Sequence, residues 1–217
     1  MSLPTLDGGL DVRLCDLAVR DRYKVLTSVV IPRPIALVTT LSPAGHVNAA
    51  PFSFFNVFSE DPPLVVLGLQ SRGEGALKDT TANVRRTGEF VANLVSEDIA
   101  DAMNRCAIDY PPEIGELSAA GLTASPSREV APPAIAEAPV AMECRRFMIV
   151  NVSDERDLLV GEVLRVRARP GVVDPATLYL DMDAYRPIAR LYANRYATLR
   201  DRFELVREAY DPDRHGR

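Results

Sequence analysis

The chain has 217 residues, of which 47% are hydrophobic, and a formal net charge of −5. This length is enough for one large domain or two small ones, with a core that requires neither a metal nor a disulfide. The acidic balance, without a dense basic stretch, argues against nucleic acid as a partner, and no apolar run approaches the roughly 18 residues that a membrane span requires.

The three cysteines, Cys15, Cys106 and Cys144, are far apart and follow no metal-binding spacing. We therefore predict unpaired, buried thiols, no metal site and a reducing, cytoplasmic setting. The first ten residues have neither the basic nor the apolar region of an export signal. We expect an N-terminal arm at 1–21, one domain at 22–210 and a polar tail at 211–217.

The fold is expected to begin at residues 23–30 and to continue into a hairpin. Residues 35–40 are apolar and β-branched, and the turn residues at 42–45 follow them, as in a strand that enters a hairpin. The returning segment, 48–56, begins with the small residues Asn48, Ala49 and Ala50 and places Ser53 among aromatic residues. Small side chains leave backbone groups accessible, so this strand is expected to contact a ligand directly.

The next elements have the features of an anion site. An apolar strand at 64–69 ends in a segment that contains Ser71, Arg72 and two glycines. A helix is predicted to start at Asp79 or Thr80 as the N-cap, directly after Lys78, and to end at Gly88. Because a helix N-terminus beside basic residues can bind phosphate, we consider a phosphate site; a capped surface helix with ordinary charges is the alternative.

The second half of the chain is predicted to complete an antiparallel barrel. A strand at 89–95 precedes a helix capped by Ser96, and the Pro-rich segment 109–139 is interpreted as a lid or as an arm that wraps around a dimer partner. Two strands at 141–152 and 158–168 form a hairpin, and 199–210 is predicted to be an amphipathic helix. Short strands without regular alternation with helices favour a mainly β fold with peripheral helices.

Side chains suited to acid–base catalysis are few. The only histidines are His46, in a predicted turn, and His215, in the tail, which argues against a Ser-His-Asp or Cys-His hydrolase. A Gly-x-Gly-x-x-Gly sequence after a strand is also absent, so a Rossmann dinucleotide site is not expected. A chain of this kind fits a protein whose cofactor supplies the reactive atom.

Several separated motifs, which occur in the expected order, resemble the flavin reductase-like proteins with an FMN-binding split barrel. The resemblance extends over about residues 23–207. Its motifs are the runs 33–40, 48–56 and 59–63, then Lys78-Asp79-Thr80 with Asn83, and the run 90–94. Residues 185–197 resemble the family's last motif, although Tyr192 and Ala193 stand where many relatives have glycines.

The resemblance implies an antiparallel, Greek-key-like split β-barrel and a homodimer with FMN, possibly FAD, near the subunit interface. It implies that Asn48, Ala49, Ala50 and Ser53, with Thr39 near by, line the flavin ring and ribityl chain. Ser71, Arg72, Lys78 and Thr80 would hold the phosphate. Arg33 and Arg195 would fix the flavin or place positive charge beside it. The resemblance assigns no catalytic side chain.

Three functions remain open from the sequence. In the first, an oxidoreductase passes hydride from NAD(P)H to flavin, and the electrons continue to a second flavin, a partner oxygenase or another acceptor. In the second, the protein is a non-enzymatic FMN-binding electron carrier or flavin-binding module, which the absence of a recognisable nicotinamide site favours. In the third, the barrel binds another planar anion, such as haem or a relative of pyridoxal phosphate.

Overall fold

The structure is a computed structural model that describes residues 9–73, 76–110, 115–211 and 214. Twelve strands are present in this part of the chain: β1 (Ala36–Leu41), β2 (Val47–Phe52), β3 (Phe55–Glu60), β4 (Pro63–Gly73), β5 (Ala76–Leu77), β6 (Glu89–Leu94), β7 (Ala124–Ser125), β8 (Ala134–Ile135), β9 (Val140–Ser153), β10 (Arg156–Ala168), β11 (Ile188–Arg190) and β12 (Tyr196–Thr198). The α-helices are α1 (Val19–Val29), α2 (Asp79–Thr87), α3 (Ala100–Arg105), α4 (Glu116–Ala120) and α5 (Met182–Tyr185). The mainly β prediction with peripheral helices is therefore confirmed.

One large antiparallel sheet forms the body of the protein. Its strands follow the order β2-β1-β6-β9-β10-β4-β3, and β5 pairs with β4. Only Ser53 and Phe54 separate β2 from β3, although these strands lie at opposite ends of that order. Because two residues span only about 7 Å, the sheet must curl until its two ends are adjacent. The result is a barrel that is open between β2 and β3.

Side chains alternate between the inside and the outside of the curled sheet. On β1, Leu37 belongs to an outer cluster with α3 and α4, whereas Val38 belongs to the cluster that fills the barrel. Phe90 lies in this inner cluster and is fully buried. A Cβ atom at Gly161 on β10 would lie 2.4 Å from Phe90 Cζ, so the ring fits there only because residue 161 is a glycine.

The two hairpins that the sequence predicts are both present. β1 pairs with β2, from Ala36 opposite Phe52 to Leu41 opposite Val47. β9 pairs with β10 over their whole lengths, with local shifts in register. The returning segment at 48–56 was expected to be one strand, but it divides at Ser53 and Phe54 into β2 and β3. The divided strand creates the opening in the barrel.

The helices agree only partly with the prediction. α2 ends at Gly88, which has the predicted left-handed backbone with φ of +72°. Its N-cap is Lys78, so the expected cap at Asp79 or Thr80 is wrong. The Thr80 hydroxyl instead accepts a hydrogen bond from Asn48 Nδ2 at 2.9 Å. Ser96 precedes a 3-10 turn (Glu97–Ile99) that leads into α3, and the predicted apolar face of α3 lies in the core.

At both ends of the expected domain, whose bounds stay a prediction, the secondary structure differs from the expectation. α1 runs from Val19 to Val29 across the expected boundary at residue 21, because Arg22 Nε donates to the Leu17 carbonyl and ties the start of this helix to the preceding turn. The helix expected at 199–210 is wrong, since these residues, all of them described, form neither helix nor strand. Phe203 is 86% exposed and Leu205 83%, so the described part of the chain does not cover the apolar side chains that would stabilise such a helix.

The segment at 109–139 is neither irregular nor detached where the structure describes it. It contains α4 and the short hairpin of β7 and β8. Leu117, Ala120 and Ile135 belong to the outer core cluster, so the segment packs on its own barrel. Its expected role as a lid or as an arm around a partner stays a prediction; residues 111–114 lie outside the described residues. None of the described helices is long and apolar enough to cross a membrane.

Candidate functional site

A groove lies where the barrel is open. It has a volume of about 270 Å³ and continues into a wider lobe of about 1450 Å³, with which it shares seven lining residues. Most of its lining comes from three parts of the fold: the edge strand β2 and the residues after it, the first turn of α2, and the segment from the end of α3 to the start of α4. The shared residues are Asn48, Gln70, Lys78, Asp79, Asp109, Tyr110 and Glu116.

The edge strand β2 presents small side chains and backbone groups to the groove. Asn48, Ala49 and Ala50 line it, as the sequence predicts, and Ser53 lines it where the strand ends. β2 pairs only with β1 among the described strands, so its other edge faces α4. The Ala49 N–H points from this edge and donates to Glu116 Oε2 at 3.3 Å. This backbone edge can bind a planar ligand that has both donors and acceptors.

The first turn of α2 closes one end of the groove. Lys78 is exposed and lines both lobes, and Thr80 is buried beside Asn48. A lysine at the N-cap has no acceptor atom, so its side chain leaves the N–H groups of the first turn to other partners. Ser71 is buried and lines the wider lobe. The side chain of Arg72 lies outside the described residues, so its predicted contact is a proposal only.

Arg33 was predicted to bind the cofactor, but the structure uses it to hold the fold together. Its guanidinium donates to three backbone carbonyls: Thr27 at 2.6 Å, Val30 at 2.8 Å and Leu191 at 2.6 Å. Arg33 Nε also reaches Ser53 Oγ at 3.4 Å, from behind the groove. Burial is the largest influence on the pKa of this guanidinium and lowers it. These contacts occupy the guanidinium within the protein and support Ser53; the predicted contact of Arg33 with the cofactor stays a prediction.

Thr39 and Arg195 also lie away from the groove. Thr39 is fully buried, and its hydroxyl donates to the Pro133 carbonyl at 2.5 Å, on the outer side of the barrel. Arg195 is exposed and lies over the Tyr192 ring at 5.4 Å. Ala193 between them has a φ of +50°, a left-handed backbone that glycine adopts more readily. Thr39 and Arg195 are not among the residues that line the groove, and their expected roles at the cofactor stay predictions.

The acidic and aromatic side of the groove was not predicted from the sequence. Glu116, Asp109 and Tyr110 line it from the segment between α3 and α4, and Tyr23 lines it from α1, with its ring 6.3 Å from that of Phe54. These residues carry no periodic signal. The one local sign is that Glu116 directly follows Gly115, at the start of a short helix.

Cys106 also lines the groove, but it is a poor nucleophile. Burial, with a smaller contribution from the charge of Glu116, raises the pKa of its thiol to about 11. The thiol is therefore protonated at neutral pH. Cys144 is buried as predicted, whereas Cys15 is exposed, so the expectation of burial is wrong for Cys15. Among the described residues no cluster of three or more His, Cys, Asp or Glu residues is suited to a metal ion.

Comparison with known families identifies this architecture. The sequence model described as "Flavin reductase like domain" matches residues 28–189, which is most of the chain. The chain belongs to the flavin reductase-like family. The match contains the two hairpins, α2 and the residues on both sides of the groove, and the predicted resemblance is confirmed.

Relatives and solved structures match this flavin reductase-like chain over most of its length and over most of theirs. The protein YwrF of Bacillus subtilis is 41% identical over 196 residues, which cover 88% of this chain and 95% of YwrF. The 2-nitrobenzoate 2-nitroreductase NbaA of Pseudomonas fluorescens is 35% identical, with a TM-score of 0.85 and coverage of 93% of this chain and 98% of NbaA. Nitrilotriacetate monooxygenase component B of Bacillus cereus is 33% identical, with a TM-score of 0.85 and coverage of 90% and 98%.

A more distant likeness confirms the fold. A protein with a split barrel domain from Shewanella frigidimarina has a TM-score of 0.76 at 20% identity, and the match covers 91% of this chain and 96% of that protein. The flavin reductase-like chain therefore has the split-barrel fold. The split is the opening between β2 and β3.

The lining of the groove fits a flavin. The edge of β2 offers backbone groups without bulky side chains, the rings of Tyr23 and Phe54 supply apolar walls, and Lys78 stands at the N-terminus of α2. These parts match a flat ring system with a polar edge and a phosphate at one end.

Proposed function

We propose that this protein binds FMN in the groove and passes hydride from NAD(P)H through the flavin to an acceptor. The observation that carries the proposal is the edge of β2 that pairs with no described strand, whose small residues line the groove beside Lys78 and the first turn of α2. Flavin supplies the redox chemistry when it is bound. The side chains described in the groove bind and orient, which agrees with the lack of an evident acid–base pair.

Within this proposal each part of the groove has a separate task. Asn48, Ala49, Ala50 and Ser53 contact the ring and the ribityl chain. Lys78, Thr80 and the N–H groups of α2 hold the phosphate together with Ser71 and Arg72. The wider lobe gives space for the nicotinamide donor, or for the adenylate half of FAD in place of FMN.

The family relatives indicate two classes of acceptor. The likeness to nitrilotriacetate monooxygenase component B supports delivery of electrons to a partner oxygenase. The likeness to 2-nitrobenzoate 2-nitroreductase supports direct reduction of a small aromatic molecule. Free thiols at Cys15, Cys106 and Cys144 support a cytoplasmic setting. We also propose that residues 22–210 act as one domain, together with the first turn of α1, which begins at Val19.

A titration with FMN tests the location of the cofactor. Ala50→Phe would place a ring in the groove, whereas Ala176→Phe changes an exposed loop residue. We expect the wild-type protein and Ala176→Phe to quench FMN fluorescence with equal affinity, and Ala50→Phe to bind at least about tenfold more weakly. Equal affinity in all three proteins would move the flavin out of this groove. Absence of binding to the wild-type protein would refute the proposal.

The phosphate contact has an equally direct test. The chain has only two lysines, Lys78 in the groove and Lys24 on α1, where Lys24 forms an exposed ion pair with Asp21. Lys78→Ala should weaken FMN by about 1.5–3 kcal/mol, because charge-assisted hydrogen bonds to phosphate are strong. Lys24→Ala should leave the affinity unchanged. Riboflavin, which lacks the phosphate, should not distinguish Lys78→Ala from the wild-type protein; if it does, Lys78 acts elsewhere on the ligand.

We further propose that the protein is a homodimer. Among the described residues, apolar side chains are exposed on three parts of the chain: Val57 and Phe58 on β3, Phe147 and Val152 on β9, and Phe203, Leu205 and Val206 in the C-terminal segment. Exposed apolar surface of this extent is typical of protein interfaces. Replacement of Phe203 and Val206 by Ser should convert a dimer to a monomer in sedimentation experiments; a wild-type monomer at micromolar concentration would contradict the proposal.

A further inference from the structure

The described residues that line the groove include more acidic than basic side chains, which flavin binding alone does not require. Among the described residues that line it, Asp79, Asp109 and Glu116 are acidic, and only Lys78 is basic. A phosphate at the α2 end would pair with Lys78. The acidic residue farthest along the chain from that helix, Glu116, belongs to α4 on the opposite side of the groove.

Glu116 is held against the backbone edge that the flavin ring is proposed to use. Its carboxylate accepts the Ala49 N–H at 3.3 Å, and it is half-buried. Leu117 and Ala120 on the same helix are buried in the outer core cluster, which fixes α4 against β2. The position of this carboxylate is therefore set by the fold and not by a mobile surface chain.

The charge of Glu116 already acts on a second group in the groove. Cys106 Sγ lies 3.8 Å from the Glu116 carbonyl. The pKa of this thiol is raised mainly by burial and next by the charge of Glu116. Formation of another negative charge in the groove is thus disfavoured, and a reduced flavin ring would carry such a charge.

We propose that Glu116 is a positioning residue that makes the groove hold oxidised flavin more tightly than reduced flavin. Transfer of a hydride oxidises NAD(P)H to NAD(P)⁺ and adds two electrons and one proton to the ring, which thereby gains one negative charge. A carboxylate beside the ring opposes that charge. The bound flavin then gives up its electrons, or leaves in reduced form, more readily than it would beside a neutral side chain. This inference rests on the proposed flavin site.

A thermodynamic cycle makes the inference measurable in two independent ways. The logarithm of the ratio of the dissociation constants of reduced and oxidised FMN is proportional to the shift in the two-electron potential on binding. Replacement by Gln keeps an acceptor for the Ala49 N–H and removes the charge. One unit charge a few ångströms from the ring, partly screened, corresponds to about a tenfold change in this ratio, which is about 30 mV for a two-electron couple.

The experiment compares the full-length wild-type protein with Glu116→Gln, Glu116→Asp and Glu60→Gln. The last variant makes the same chemical change at an exposed residue of β3, outside the groove. Anaerobic titrations with oxidised and dithionite-reduced FMN, together with spectroelectrochemistry, give both readouts. We expect Glu116→Gln to lower the ratio about tenfold and raise the bound potential by about 30 mV, and Glu116→Asp and Glu60→Gln to match the wild-type protein.

The outcomes separate this inference from the proposed function. If Glu116→Gln binds FMN with the wild-type ratio and potential, the inference is overturned while the flavin site stands. If Glu60→Gln shifts the potential as much as Glu116→Gln, the effect is one of net charge, and the inference is again overturned. If the wild-type protein binds neither form of FMN, the proposed function itself fails.

Discussion

Arg33 is expected to determine the stability of the fold and not the affinity for flavin. The guanidinium joins the C-terminal end of α1, through the carbonyls of Thr27 and Val30, to the loop after β11, through the Leu191 carbonyl 158 positions away. Backbone hydrogen bonds between Arg33 and Arg190 run beside these contacts. Arg33→Ala would break these three hydrogen bonds and leave the buried Thr27 carbonyl and the partly buried Val30 and Leu191 carbonyls without their donor.

The size of the effect follows from these contacts. Hydrogen bonds to a charged group contribute about 1.5–3 kcal/mol each, but much of that offsets desolvation of the guanidinium. We therefore expect Arg33→Ala to lower the free energy of unfolding by about 3–5 kcal/mol, as is found when a buried charged network is broken. Arg33→Lys should lie between this variant and the wild-type protein, because a lysine ammonium cannot span carbonyls on two segments.

Urea denaturation provides the assay and the control. The midpoint should fall for Arg33→Ala at an unchanged slope. Arg195→Ala, at an exposed arginine that was also predicted to bind the cofactor, should change stability by no more than about 0.5 kcal/mol. FMN affinity of folded Arg33→Lys should stay within about threefold of the wild-type value. A tenfold loss of affinity without a shift of the midpoint would refute this structural assignment.

Two further predictions concern the barrel core and the thiols. Gly161→Ala should lower the free energy of unfolding by about 1–3 kcal/mol, because its Cβ would overlap the buried Phe90 ring. Urea denaturation should show a smaller decrease for Gly45→Ala, where the added Cβ meets open space although the backbone is left-handed. Equal decreases for the two variants would contradict this packing. At about pH 8, iodoacetamide followed by peptide mass spectrometry should label exposed Cys15 rapidly and Cys106 slowly, with Cys106 labelling accelerating towards its pKa of about 11. Equal labelling rates for Cys15 and Cys106 at about pH 8 would contradict the burial of the Cys106 thiol.

The parts of the fold that depend on neighbouring residues were predictable from the sequence. The β1–β2 and β9–β10 hairpins follow from alternating apolar residues and from the turns between them, and the end of α2 follows from Gly88. The strand that lines the groove was predictable from its own residues too, because three small residues in succession are unusual in a strand.

The parts that depend on distant contacts were not predictable in this way. Whether Arg33 faces a ligand or a carbonyl is decided by Leu191, and the position of Glu116 is decided by Ala49, 67 residues earlier in the chain. The pattern at 199–210 is typical of an amphipathic helix, yet a helix forms in a protein mainly where its apolar face can be buried. The described residues of one chain do not cover the apolar side chains of this segment.

The most direct test of the central claim is the visible spectrum of the FMN-saturated protein during anaerobic addition of NADH or NADPH. We expect the bound flavin to bleach with one of the two nicotinamides and to recover its colour when an acceptor is added. Bound flavin that stays oxidised with both nicotinamides would contradict the reductase function and favour an electron carrier reduced by another protein.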